Sequence, residues 1–317
     1  MSEQNNKITI KEYPYTNVWV DYGELSSILG IRSNDSKKYN KDLAHSNVIK
    51  VEKYLTGIGV QNPKLIIGFQ SLESNNDGRR QFIQELAKEN AFVYVPIADK
   101  SGYEALHWFY MLMEMQMMFI AFTQEFPLKD KNVWKKLFIA TISITDAFDS
   151  APVLPGLNLD SYKTLGLEFK KIVEEYEVSY SDKKISLEEI YTTERDAMYN
   201  YLNKFCYTHL PRITQFLSEN LTEEEKNERM NCFVRSPYFE SIISADIYAN
   251  LFSVLLSSKR GYTISPSERQ DLIGMVEGVL FADIIYVDKR ITHIWESRPD
   301  KKVCFDIRKS GDLERCL

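Results

Sequence analysis

Phe281-Ala282-Asp283-Ile284-Ile285-Tyr286-Val287-Asp288-Lys289 holds an apolar run, 284–287, framed by two aspartates. The run reads as a short strand closed by Asp288. The segment upstream, Ser265-Pro266-Ser267-Glu268, reads as a helix start, with a capping serine and proline at the first helical position. That helix carries Asp271 and feeds the strand. The same pattern recurs toward the front of the chain. Asn17-Val18-Trp19-Val20 runs into Asp21, Lys64–Phe69 is a second apolar run, and Phe92–Pro96 precedes a long helix from about 102 that opens with Glu104. Val303–Ile307 reads as a last strand. Strands separated by helical stretches predict an α/β fold: an open, mostly parallel sheet flanked by helices.

The middle of the chain reads differently. From about 125 to 237 the pattern is helical, punctuated by Pro127, Pro152, Pro155 and Pro211. The division expected is 1–124 and 238–317 as two parts of one α/β domain, with 125–237 as a large helical insertion. Glu223-Glu224-Glu225 reads as a solvated helix start. A single helix is expected over 238–257. The run Leu106–Phe122 is apolar enough to raise a membrane span, but Glu114 and Gln116 sit at its centre, where hydrocarbon would penalise them. A buried core helix fits better, and no membrane association is expected.

Composition narrows the function classes. The chain has 317 residues, 44% hydrophobic and 26% charged, as in soluble globular proteins. Its net charge of −6 supplies no global field for nucleic acid, so any such grip must be local. The first residues lack the apolar core of a signal peptide. Four scattered cysteines, none in a C-x-x-C pair, read as free thiols of a cytoplasmic protein.

The acids are the informative residues. Sites on open parallel sheets form at the carboxyl ends of strands. Asp21 and Asp288 stand at such ends, Glu104 follows a third, and Asp271 stands on the helix feeding the strand that Asp288 closes. Carboxylates converging on one edge repel unless protons or cations relieve them. Hard divalent cations, Mg²⁺ or Mn²⁺, suit an all-oxygen set, and the chain's four histidines form no ligand-like cluster. Asp283, just before its strand, is placed with this metal set as a group that orients a ligand. Lys289, Arg290, Lys259 and Arg260 lie near these acids in sequence and are candidates for holding phosphates.

The order of these pieces resembles that of PIN-like nucleases, in particular the larger bacterial PIN-like proteins. The match rests on Val18-Trp19-Val20-Asp21, on Phe92–Glu104, and on Asp271 followed by Phe281–Lys289. It spans roughly a quarter of the chain. The family often carries Asn two residues after its first Asp, where this chain has Gly23. The resemblance implies a metal-dependent nuclease, with RNA as the expected substrate and Asp21, Glu104, Asp271 and Asp288 as catalytic metal ligands. It also implies a toxin or phage-defence setting and an inhibitory or activating protein partner. Two alternatives stay open. One is a PIN-like binding or scaffold module without catalysis. The other is an arrangement like that of the related NYN nucleases, in which Phe138–Asp149 is the strand and Asp146 and Asp149 join Asp21.

Overall fold

Alternation along three short strands decides which side chains enter which layer. The computed structural model describes residues 14–32, 35–68, 77–88, 93–94, 106–123, 125, 127–128, 185–213, 221–258, 265–302, 304–313 and 317. Strand β1 is Thr16–Val20, β2 is Pro63–Ile67, β3 is Val93–Tyr94, β4 is Ile284–Val287 and β5 is Asp306–Lys309. Together they form one sheet in the order β3-β2-β1-β4-β5, and every pairing is parallel. The expected α/β class and parallel sheet are thus present. Because side chains alternate across a strand, Trp19, Ile66, Ile285 and Val287 enter one core. Val18, Val20, Leu65, Ile67, Ile284 and Tyr286 enter the other.

The chain covers these faces in turn. Helices α1 (Tyr22–Ile28), α2 (Lys41–Gly57) and α3 (Asp77–Lys88) belong to the connections from β1 through β3. Their apolar residues, including Leu25, Ile28, Val48, Val51, Phe82 and Ile83, close the second face. The first face takes a thicker helical layer. It consists of α4 (Leu106–Thr123), α5 (Leu187–Ile213), α6 (Glu223–Val234), α7 (Pro237–Glu240), α8 (Ile243–Ser257), α9 (Pro266–Phe281) and α10 (Lys289–Glu296). Phe119, Phe205, Phe233, Phe281 and their neighbours make this one continuous core. The described helices of the middle region pack to this one side of the sheet, and α6 begins at the expected acidic turn with Thr222 and Glu225 in a capping box.

Several boundaries differ from the sequence reading. The helix expected over 238–257 breaks at Ser241–Ile242 into α7 and α8. Ile242 has no side-chain group to cap α8, and the cap comes from elsewhere. Glu114 of α4, fully buried, accepts the backbone N–H groups of Ile243 and Ser244 at 2.7 Å each, together with the Ser244 hydroxyl. A carboxylate there satisfies orphan donors at the positive end of the helix. The last strand starts later than expected, at Asp306, because its register is set by pairing with Ile284–Val287. Phe305, just before it, packs on Trp295 instead, with ring centroids 6.1 Å apart.

α4 is a core helix: Tyr110, Met111 and every residue from Glu114 to Ala121 are buried. Among the described residues one stretch, Pro237–Ser257, has the length and hydropathy of a membrane span, and 61% of it is buried in the helical layer. Of the four cysteines expected as free thiols, Cys206, Cys232 and Cys304 are free, and Cys316 lies outside the described residues.

Glu277 of α9 is a second fully buried carboxyl. It accepts from Trp19 Nε1 at 2.9 Å and from the Tyr110 hydroxyl, so it ties α9 to β1 and to α4. Gly68, just past β2, faces it. A Cβ on Gly68 would lie 2.5 Å from Glu277 Oε1, so a larger residue there would push that carboxyl out of its present place.

Candidate metal and phosphate site at the carboxyl edge

In this strand order the connections leave β1 and β4 toward opposite faces, so the crevice between these strands lies at the topological switch point. Val18 pairs with Ile284 and Val20 with Tyr286, and the Asp21 N–H continues the ladder to the Tyr286 carbonyl at 3.0 Å. Asp21 and Asp288 therefore stand one residue past neighbouring strands, on the same edge.

Each of these two acids also starts a helix. Asp21 Oδ1 accepts the Glu24 N–H at 2.9 Å and caps α1. Asp288 Oδ1 accepts the Ile291 N–H at 2.7 Å and caps α10. The cap bonds fix both carboxylates in orientation, and the helix N-termini behind them favour negative charge. A third helix, α9, begins here as well. Its capping box is the one legible in the sequence: Glu268 Oε2 accepts from Ser265 N at 2.9 Å and from the Ser265 hydroxyl at 2.7 Å. Asp271 follows one turn later.

The electrostatics link these groups. Burial raises Asp21 above the ordinary carboxyl range, and the charge of Asp288 adds to it, while N–H bonds from Glu24, Asp288 and Gly23 pull the other way. Asp271 is raised to about 6, first by burial, then by the charges of Asp288, Glu268 and Asp21, with Arg290 opposing. Asp21, Asp271 and Asp288 are thus close enough to feel one another.

Other expected members behave differently. Glu104, Lys259, Arg260, Asp146 and Asp149 lie outside the described residues. Asp283 does not join the group. It precedes β4 at the opposite, amino edge, where its Oδ2 accepts the Asn17 N–H at 2.8 Å and its own N–H returns to the Asn17 carbonyl. Its role is to clamp β1 to β4. A four-residue strand separates it from Asp288, and a strand of that length puts its two ends on opposite sheet edges. Lys289 is exposed beside Asp288. Arg290 is already engaged by carboxylates, with Nη2 3.1 Å from Glu268 and 3.5 Å from Asp271.

Two acids escaped sequence reasoning. Glu268 looked like a helix-start residue and is also the anchor of Arg290; its place three residues after Ser265 signalled only the first role. Glu24, buried in the first turn of α1, gave no signal beyond following Asp21 by three.

The donor set is all oxygen, acidic, and short of positive charge, which is the chemistry that fits Mg²⁺ or Mn²⁺. Among the described residues, no three His, Cys, Asp or Glu side chains close into a ready metal cage. Comparison of the chain with models of protein families, with curated proteins and with solved structures returned no match.

Proposed function

We propose that this protein is a metal-dependent nuclease of the PIN-like type, hydrolysing phosphodiester bonds in RNA. The observation that carries this reading is the placement of Asp21 and Asp288 at the carboxyl ends of neighbouring parallel strands, with Asp271 electrostatically coupled to both. The α/β sheet flanked by helices is compatible with the PIN-like resemblance of the sequence. Asp21, Asp271 and Asp288 would hold Mg²⁺ or Mn²⁺, joined by Glu104 as the resemblance implies. Such a cation, when bound, acidifies water and offsets charge on the phosphate.

The chain's own groups then have defined tasks. Asp21 and Asp288 keep fixed orientations because their cap bonds hold them, so a substrate meets a preset charge pattern. Asp271, at about 6, is mostly ionised at neutral pH and completes the negative pocket. Lys289, exposed on the first turn of α10, suits a backbone phosphate and positions the strand without activating water. Single-stranded RNA is the better substrate because its backbone bends more readily than a duplex toward strand ends that carry the acids.

The test is cleavage of single-stranded RNA by the purified full chain. Cleavage is expected with Mg²⁺ or Mn²⁺, is expected to stop with EDTA, and is expected to fall about a hundredfold or more in Asp21→Asn and Asp288→Asn. Equal cleavage by these variants would refute the assignment. One observation favours a non-catalytic PIN-like module instead: Arg290 already neutralises part of the pocket. RNA binding with no cutting under any divalent metal would make that the better account.

A further inference from the structure

A cation already occupies the acidic edge, and the way it is held goes beyond ordinary surface pairing. Arg290 reaches from the first turn of α10 and places Nη2 3.1 Å from Glu268 Oε1 and 3.5 Å from Asp271 Oδ2. Glu268 is buried, and its other oxygen, Oε2, is committed to the Ser265 N–H and hydroxyl. That carboxylate cannot turn away without opening the start of α9. The Arg290 side chain is 49% exposed and free of such packing constraint. A fixed acid therefore holds a movable cation against one of the candidate metal ligands.

We propose that Glu268 is a positioning residue that parks Arg290 beside Asp271 as an internal counter-ion, to be exchanged for the divalent cation when the site loads. This rests on the nuclease reading above and adds to it a regulator of loading. A guanidinium and a divalent ion compete for the same carboxylate oxygens, so the parked cation weakens metal binding in the resting protein. Once displaced, the planar fork suits a phosphate as well as it suits a carboxylate. The same side chain then counts against metal before substrate arrives and for substrate afterwards.

The experiment is Mn²⁺ titration by calorimetry on the full chain, at fixed pH and salt, for wild type, Arg290→Gln, Glu268→Gln and the double variant. Glutamine at the third helical position preserves a capping box. Glu268→Gln should therefore keep the wild-type melting temperature, which is checked in parallel. Removing the guanidinium is expected to tighten Mn²⁺ binding about three- to tenfold. Glu268→Gln alone is expected to tighten it as well, by a smaller factor, because the arginine then loses the fixed acid that holds it beside Asp271. In the Arg290→Gln background the same substitution should do much less, since no parked cation remains. Such non-additivity is the signature of one residue acting through another. A dissociation constant for Arg290→Gln within about twofold of wild type, or an equal Glu268→Gln effect in both backgrounds, overturns the proposal alone. No Mn²⁺ binding by any of the four proteins overturns it together with the nuclease reading.

Discussion

Glu114 in the helical layer and Asp271 at the sheet edge are both pushed toward neutrality by burial, to about 7 and about 6. Their surroundings are opposite in kind. Glu114 faces two backbone N–H groups and a hydroxyl at the start of α8, all of which favour its anion, against the charge of one further acid, Asp246. Asp271 faces three other acids, Asp288, Glu268 and Asp21, and one half-exposed arginine. Donors complete a buried carboxylate and make it structural. Further acids leave it incomplete, and what it lacks is positive charge. The contrast separates an acid that holds the fold from one we propose for metal binding, with burial alone unable to tell them apart.

The largest expected effect breaks the structural side. Glu114→Ala orphans two amides and a hydroxyl inside the core and should cost about 3–5 kcal/mol, measured by denaturant unfolding. A loss below about 1 kcal/mol would show that water reaches this helix start and that the contrast with Asp271 is overdrawn. On the other side, Asp288→Asn should lower RNA cleavage about a hundredfold or more, in line with loss of a charge that a metal needs, about 2.7 kcal/mol in barrier terms. Its unfolding free energy should move by less than about 1 kcal/mol, since asparagine also caps helices well.

pH sharpens the comparison. Both carboxyls bind protons more tightly in the folded state than in the unfolded chain, where their ordinary values are 4.5 for Glu114 and 3.8 for Asp271. Their contribution is therefore full below those values and is lost as pH rises, through about 6 for Asp271 and about 7 for Glu114. Thermal melts in EDTA should show this decline. Added Mg²⁺ should abolish the Asp271 part and leave the Glu114 part. A metal effect that persists unchanged in Asp271→Asn would remove Asp271 from the site. The smallest effect expected is on Asp271→Asn itself. Without metal it should leave stability unchanged or raise it by up to about 1 kcal/mol, because relief of three repulsions offsets the loss of one exposed ion pair.

The centre of the sheet was readable from local pattern because β1, β2 and β4 are short apolar runs, two of which close on Asp21 and Asp288. The helix start at Ser265 was readable because its capping box is contained in four residues. What stayed hidden depends on partners far along the chain. The break before α8 has no local cause; Glu114, 129 residues away, supplies it. Asp283 and Asp288 look alike in sequence, both flanking one strand, and only the sheet edge each occupies gives one a clamping role and the other a place in the crevice. Arg290 was expected on phosphate from its position after Asp288. That reading missed Glu268, which lies 22 residues upstream and meets it only when α9 and α10 converge.

β1 sits at the centre of the sheet, yet its two neighbours reach it at very different times. β2 follows it closely, whereas β4 pairs with it across a span that the Asn17–Asp283 bond puts at 266 residues. On the ribosome, β1, β2 and β3 emerge first and leave one flank of β1 open until β4 arrives. Pairing at that separation is slow to form. A partly synthesised chain thus carries Asp21 without Asp271 or Asp288, and the charge pattern of the crevice comes into being only once α9 and β4 have been made.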